Sequence, residues 1–318
     1  TIVVKPAELT PLTTLMLVKT FEEAGVPAGV INVITTSTSS ATSGPLIADH
    51  RLRKITFTGS TFVGRKLIQQ ASERVLRTSM ELGGNAPFLV FEDADVDAAV
   101  SGAMLAKMRN IGQACTAANR FIVHDSIAEE FGTKFAAKMG ELNLGRGIAD
   151  GTTCGPVINQ AAQDNMERLV AATVSEGGDV LVGGESLAGD GYFFKPTVLD
   201  NVSADSTIWK EEIFGPIAPI VRFKSEEEAV RLANDTEYGL AASIFTANVK
   251  KAIRGARAIR AGTVTVNSFG EGDISTPFGG FKASGFGGRD NGIHAHDQYT
   301  QIKTIWVDLA DDGDEAVG

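Results

Sequence analysis

Short β-branched and apolar runs alternate with stretches of helical periodicity along most of this chain, and that alternation points to a parallel sheet with helical crossovers. Thr1-Ile-Val-Val-Lys5 opens as a strand, Thr10-Pro11 starts a helix with proline in its first turn, and Gly25 and Pro27 stop it. Residues 29–35 and 54–58 read as further strands, the second followed by a Gly59-Ser60 turn and a helix through Gln69. A strand near 77–82 runs into Gly83-Gly84, where a domain boundary is expected. The pattern then restarts with a strand at 87–91 and a helix from Asp95, whose acidic first turn suits the helix dipole. Further helices are expected near 126–140, 159–176, 225–235 and 248–260. Residues 270–292 are glycine-rich and irregular, residues 300–308 alternate polar and apolar like a strand, and the acidic stretch 311–318 reads as a frayed end. Because the chain opens inside a strand without an initiator methionine, it reads as a piece of a longer protein.

Charge narrows the partners. Among 318 residues, 29 are basic and 39 acidic, a formal net charge of -10, which is the wrong sign for gripping nucleic acid by bulk charge. Cys115 and Cys154 are the only cysteines, too few for a disulfide framework, so a reducing compartment, the cytoplasm, is expected. No apolar run reaches the roughly 18 residues of a membrane span.

Read one at a time, the candidate residues leave alternatives open. Cys115, in Gly112-Gln-Ala-Cys115, is either buried packing or a thiolate stabilised by nearby amides in a loop that Gly112 lets approach closely. Glu81 ends an apolar strand before two glycines, as a solvated charge or as a catalytic group at a strand end. The turn from Gly59 to Gly64 opens a helix and can face a pyrophosphate, but lacks the spacing of the common dinucleotide fingerprint. His124 has no recognisable spacing to Cys115, and His294 and His296 lack a second ligand pair, so surface histidines fit better than a metal site.

The combination is more specific than its parts. Lys5-Pro-Ala-Glu8, Phe57-Thr-Gly-Ser60, Glu81-Leu-Gly-Gly84, Gly112-Gln-Ala-Cys115, Glu211-Glu-Ile-Phe-Gly-Pro216 and Pro277-Phe-Gly-Gly280, in that order, resemble the NAD(P)-dependent aldehyde dehydrogenase superfamily. The resemblance implies an α/β fold with part of a Rossmann-type cofactor domain over 1–84, an α/β catalytic domain over 85–292, and an oligomerisation strand with acidic tail over 293–318. It implies that Cys115 is the nucleophile, forming a thiohemiacetal and then a thioester, and that Glu81 is the base that activates water. Lys5 and Glu8 then match positions that hold the adenosine ribose. Gly59, Ser60 and Gly64 belong to the pyrophosphate turn, Leu82 and Gly83 to the cofactor side of the Glu81 turn, and Glu212 and Phe214 to the nicotinamide ribose. Phe278 lines the nicotinamide and substrate end. A ribose-binding carboxylate at Glu8 repels a 2′-phosphate, so NAD is the expected cofactor, with NADP admitted if the side chain swings away.

Two stretches disagree about the substrate. Ala106 to Cys115, with Asn85-Ala-Pro-Phe88 and Ala117-Ala-Asn-Arg120, resembles succinate semialdehyde dehydrogenases, in which an arginine six residues before the nucleophile binds the substrate carboxylate; here it is Arg109. A surface salt bridge is the plainer reading of that arginine. The segment from about Ala261 resembles aminoaldehyde dehydrogenases instead. Gly272 stands where a second carboxylate ligand, a serine, is usual; Ser275 is in a different register, and Glu271 and Asp273 suit a cationic substrate. Succinate semialdehyde is the favoured expectation, with an aminoaldehyde or betaine aldehyde as the alternative. Two other classes stay open: a non-catalytic fragment or binding remnant, because the family supplies an oxyanion-hole asparagine from a region before Thr1, and a thiol hydrolase without nicotinamide. The family resemblance further implies a small aldehyde as partner and a homodimer or homotetramer, while charge and hydropathy argue against nucleic acid and membrane as partners.

Overall fold

The computed structural model describes residues 1–270 and 272–309. The expectations about Glu271 and about the acidic stretch 311–318 therefore lie outside the described residues. The chain divides into one unit of residues 1–55 and 65–78 and another of residues 56–64 and 79 onward.

In the first unit, β1 (Ile2–Val4) pairs in parallel with β2 (Ile31–Val33), Ile2 opposite Ile31. The crossover between them is α1 (Pro11–Glu23), which starts where Pro11 presets the first-turn backbone and needs no amide partner. Next comes α2 (Ser39–Ala48). The Ser39 hydroxyl donates to Glu8 Oε1 at 2.6 Å and holds that carboxyl below its ordinary range. Three elements, β3 (Lys54–Thr58), α3 (Thr61–Ser72) and β4 (Arg77–Glu81), are shared between the units.

The second unit is built on a seven-stranded sheet. Its strands are β5 (Ala86–Val90), β6 (Ala118–His124), β7 (Asp179–Val182), β8 (Thr197–Asp200), β9 (Ile217–Phe223), β10 (Ala241–Phe245) and β11 (Thr263–Val266). They lie in the order β11-β10-β5-β6-β9-β8-β7, parallel except for β7 against β8. Every residue of β5 is buried, as a central strand covered on both faces requires. Strand alternation sends its side chains to opposite faces. Phe88 and Val90 join Phe121 and Ile220 against α4 (Val96–Met108) and α5 (Ala128–Gly140), while Leu89 joins Ile122 and Val221 against α6 (Gln160–Ser175) and α8 (Glu226–Asn234). The short α7 (Thr207–Lys210) adds Trp209 to the second cluster, and α9 (Val249–Ala258) connects β10 to β11. Arg120 is buried, and its guanidinium donates to the carbonyls of Leu232 and Ala233 at 2.8 Å, capping the end of α8, and to Asn85 at 2.9 Å.

The late segment folds differently from its sequence pattern. Within the irregular 270–292 stretch, β12 (Gly285–Phe286) pairs antiparallel with β4, Gly285 opposite Glu81. Residues 300–308, expected as a strand, carry no strand pairing; the neighbouring α10 (His294–Asp297) is helical. A strand exists only through its ladder, and among the described residues none pairs with the 300–308 segment.

Candidate active site

Strand order assembles the site. Because β5, β6 and β9 are neighbours and parallel, the segments entering them, Gly83 to Asn85, Gly112 to Ala117 and Glu212 to Pro216, emerge side by side at one end of the sheet. The contacts are close enough to demand glycine. A side-chain carbon at Gly84 would lie 2.1 Å from the Cys115 carbonyl oxygen. One at Gly112 would lie 2.2 Å from the Gly215 carbonyl, and Gly112 has φ +76°. Gly84→Ala should therefore destabilise the protein by about 1–3 kcal/mol, because backbone rather than a flexible side chain must move; chemical denaturation beside the parent measures it.

Cys115 is half-buried on this loop. Asn110 and Ile111, with φ 49° and 51°, precede it in the left-handed region, which costs a β-branched residue of order 1–3 kcal/mol. Cys154 differs: it is buried, and burial pushes its thiol up to about 11, so it stays protonated. His124 lies at the opposite end of β6, about 20 Å along the strand from the Cys115 end, with its ring against Phe223 and Nδ1 beside the Ser126 hydroxyl. It is not brought to Cys115.

Glu81 is 9% exposed, and its Oε2 has no hydrogen-bond partner among the described residues. Burial first, and the Asp290 carboxylate second, raise its pKa from 4.5 to about 7, against the opposing pull of Arg289. Gly279 completes this pocket, since a side-chain carbon there would lie 2.9 Å from Glu81 Oε1 and 2.8 Å from Arg289. Phe278 is half-buried and exchanges two 2.7 Å backbone hydrogen bonds with Asp290, so the Pro277-Phe-Gly-Gly280 motif and the Glu81 carboxyl share one corner.

Several of the cofactor candidates of the second unit lie at the same turn. The Gly59 amide donates to the Glu81 carbonyl at 3.0 Å and so fixes the turn, while Gly59 and Ser60 are exposed just ahead of the N-terminus of α3, the end of a helix that favours a phosphate. Gly64 lets α3 sit against Leu82, whose Cδ2 is 2.4 Å from where a side-chain carbon would stand. Glu212 Oε1 accepts from the Gly84 amide at 2.9 Å, and Oε2 lies 2.6 Å from the equivalent position on Gly83. Burial raises the Glu212 pKa, opposed by that amide. Phe214 is exposed with φ 50°. Lys5 and Glu8 belong to the first unit, where Lys5 Nζ donates to the Pro6 carbonyl at 2.6 Å.

Sequence reasoning overlooked Thr61 and Asp290. Thr61 Oγ1 accepts from the Gly83 amide at 3.2 Å and donates to the Ala283 carbonyl at 3.3 Å. A threonine in the first turn after a serine cap was the available signal. Arg109 caps the end of α4 and is exposed at the start of the Cys115 loop. In the loop that raised the question of a cationic substrate, Gly272, Asp273 and Ser275 are exposed, and the Ser275 amide donates to Asp273 Oδ1 at 2.8 Å.

The profile of the aldehyde dehydrogenase family matches residues 1–305. The chain belongs to that family. It is 51% identical over 307 residues to a succinate-semialdehyde dehydrogenase of Paenarthrobacter nicotinovorans, covering 96% of this chain and 68% of the relative. Against an E. coli NADP-dependent enzyme the TM-score is 0.93 at 42% identity, over 95% of this chain and 63% of the other. Against a Bacillus cereus aldehyde dehydrogenase solved with NAD+ it is 0.93 at 39% identity, over 98% and 63%. The chain thus spans about two thirds of the length of these family members.

Proposed function

We propose that this protein oxidises succinate semialdehyde to succinate with a nicotinamide cofactor, through a covalent intermediate on Cys115. The approach of Gly84 to the Cys115 carbonyl carries the reading, because it fixes the nucleophile's loop against the turn that follows Glu81. The Cys115 thiolate adds to the aldehyde carbon, giving a thiohemiacetal. A nicotinamide, when bound, supplies the hydride acceptor that leaves a thioester. Glu81 then takes a proton from water, whose oxygen attacks the thioester carbon and releases the acid and the thiolate. The residues fit such a cofactor: the exposed Gly59-Ser60 turn sets the N-terminal end of α3 toward the pyrophosphate, with Gly64 and Leu82 behind it, and Glu212, whose Oε1 is held by the Gly84 amide, keeps Oε2 for a ribose hydroxyl. Lys5 and Glu8 take the adenosine ribose, and the Glu8 carboxylate makes NAD the preferred form. Phe214 and Phe278 line the nicotinamide end.

Arg109 selects the substrate by forking onto its far carboxylate. Its exposed place at the start of the nucleophile loop supports this, as does the 51% identity to a succinate-semialdehyde dehydrogenase. Arg109→Ala should raise KM for succinate semialdehyde about 10- to 100-fold, the worth of a charge-assisted hydrogen bond, while KM for an uncharged aldehyde of equal length holds. A panel pairing succinate semialdehyde, an aminoaldehyde and betaine aldehyde with both cofactors, on the full-length enzyme, tests the assignment; a better aminoaldehyde rate with unchanged KM in the variant overturns it, and a strong NADP preference overturns the role of Glu8.

The same reading places residues 1–84 in a cofactor domain, 85–292 in a catalytic domain and 293–318 in an oligomerisation segment. Ile302, Ile305, Trp306 and Val307 are 102%, 72%, 93% and 69% exposed, a row of apolar side chains that fits a strand supplied to another subunit of a homodimer or homotetramer. The cytoplasm suits two cysteines that are not joined to each other.

A further inference from the structure

Lys107, on the last turn of α4, has no exposed surface. Lysines on helices usually send the ammonium out to water along an apolar stem. Here Nζ donates instead to Asn119 Oδ1 at 2.9 Å and to the Gly215 carbonyl at 3.1 Å. Among the described residues it forms no ion pair with a carboxylate, and burial pulls its pKa down to about 7. Burying such a group is costly, and a methionine of similar length would fill the site without that cost.

Its two acceptors suggest what the lysine is retained for. Gly215 closes the loop that carries Glu212. Asn119 Nδ2 reaches the Gly84 carbonyl at 3.5 Å, and the Gly84 amide donates to Glu212 Oε1 at 2.9 Å. A closed ring therefore runs from Lys107 to Gly215, along the chain to Glu212, across to Gly84, and back through Asn119. The nucleophile loop touches this ring twice, Gly112 against the Gly215 carbonyl and the Cys115 carbonyl against Gly84.

We propose that Lys107 is a positioning residue, which fixes the Glu212 loop and the Gly83-Gly84 turn against each other and against the Cys115 loop. That this sets the seat of the nicotinamide ribose rests on the function proposed above; the mutual anchoring of the three segments does not.

The test uses the full-length enzyme with Lys107→Met and Lys107→Gln. Hydrogen exchange read by mass spectrometry should accelerate about 10-fold or more in peptides spanning residues 83–86 and 211–217, as expected for losing the two buried hydrogen bonds of Lys107, while peptides from α5 stay protected. In steady state, KM for the cofactor should rise about 5- to 50-fold, with KM for the aldehyde much less affected. Unchanged exchange in both loops, or an equal rise in α5, overturns the proposal and leaves Lys107 with packing alone. If Lys107→Met does not fold, the same comparison on Lys107→Gln decides, since its shorter amide reaches at most one of the two oxygens. If the parent oxidises no aldehyde, the functional reading fails, and the exchange result still decides the role of Lys107.

Discussion

Cys115→Ala should abolish aldehyde oxidation, lowering kcat by on the order of 10⁴-fold or more, because no other group on this loop can form the covalent intermediate. Cys154 cannot substitute: it is buried, and its thiol is held protonated up to about 11. The fold should survive, since the close contact at this position is made by the Cys115 carbonyl against Gly84, and the substitution leaves the backbone unchanged. The measurement is NADH absorbance with excess aldehyde, together with a thermal melt. A variant that keeps a tenth of the parent rate would remove Cys115 from the mechanism. Alkylation by iodoacetamide supplies a second readout, since it should inactivate the parent in step with modification of Cys115.

Glu81→Gln should slow turnover about 10²- to 10⁴-fold, the usual worth of a general base, yet leave a first-turnover burst of NADH. The distinction arises because the proposed base acts after the thioester has formed. In the parent, kcat limited by this step should rise about tenfold per pH unit below 7 and level off above it, following ionisation of a carboxyl whose pKa is about 7. The variant should lose that limb. Stability should respond in the opposite direction. The folded carboxyl keeps its proton between its ordinary 4.5 and about 7 while the unfolded chain releases it, so stability falls as pH rises through that window. Glu81→Gln should flatten the dependence, which melts at pH 5 and pH 7.5 would register. A burst lost in proportion to kcat would move Glu81 to an earlier step.

Much of the scaffold was readable in advance. The strand at 54–58 and the helix beginning after Asp95 stand where β-branched spacing and a side-chain cap put them, and Asp95 Oδ1 accepts from the Ala98 amide at 3.0 Å. The pairing of the 300–308 segment was not legible, because alternation records only which faces a strand would have, not which chain supplies its partner. Lys107 was passed over for a related reason. On a helix of alanines and methionines a lysine reads as the solvated edge, and nothing within α4 reveals that Asn119 and Gly215 accept its hydrogen bonds.

The sequence by itself determined the order of the motifs, the residue types available for chemistry and the alternation that selects a parallel sheet, because these depend on local spacing and on the side chains themselves. The tertiary structure decided which of those groups meet. Placing β5, β6 and β9 side by side brings Gly84, Cys115 and Glu212 to one end of the sheet. Returning residues 278–290 to β4 buries Glu81 beside Asp290 and Arg289. A carboxyl poised near neutral pH and a lysine withdrawn from water are both products of burial, and burial is set by segments far apart in the chain.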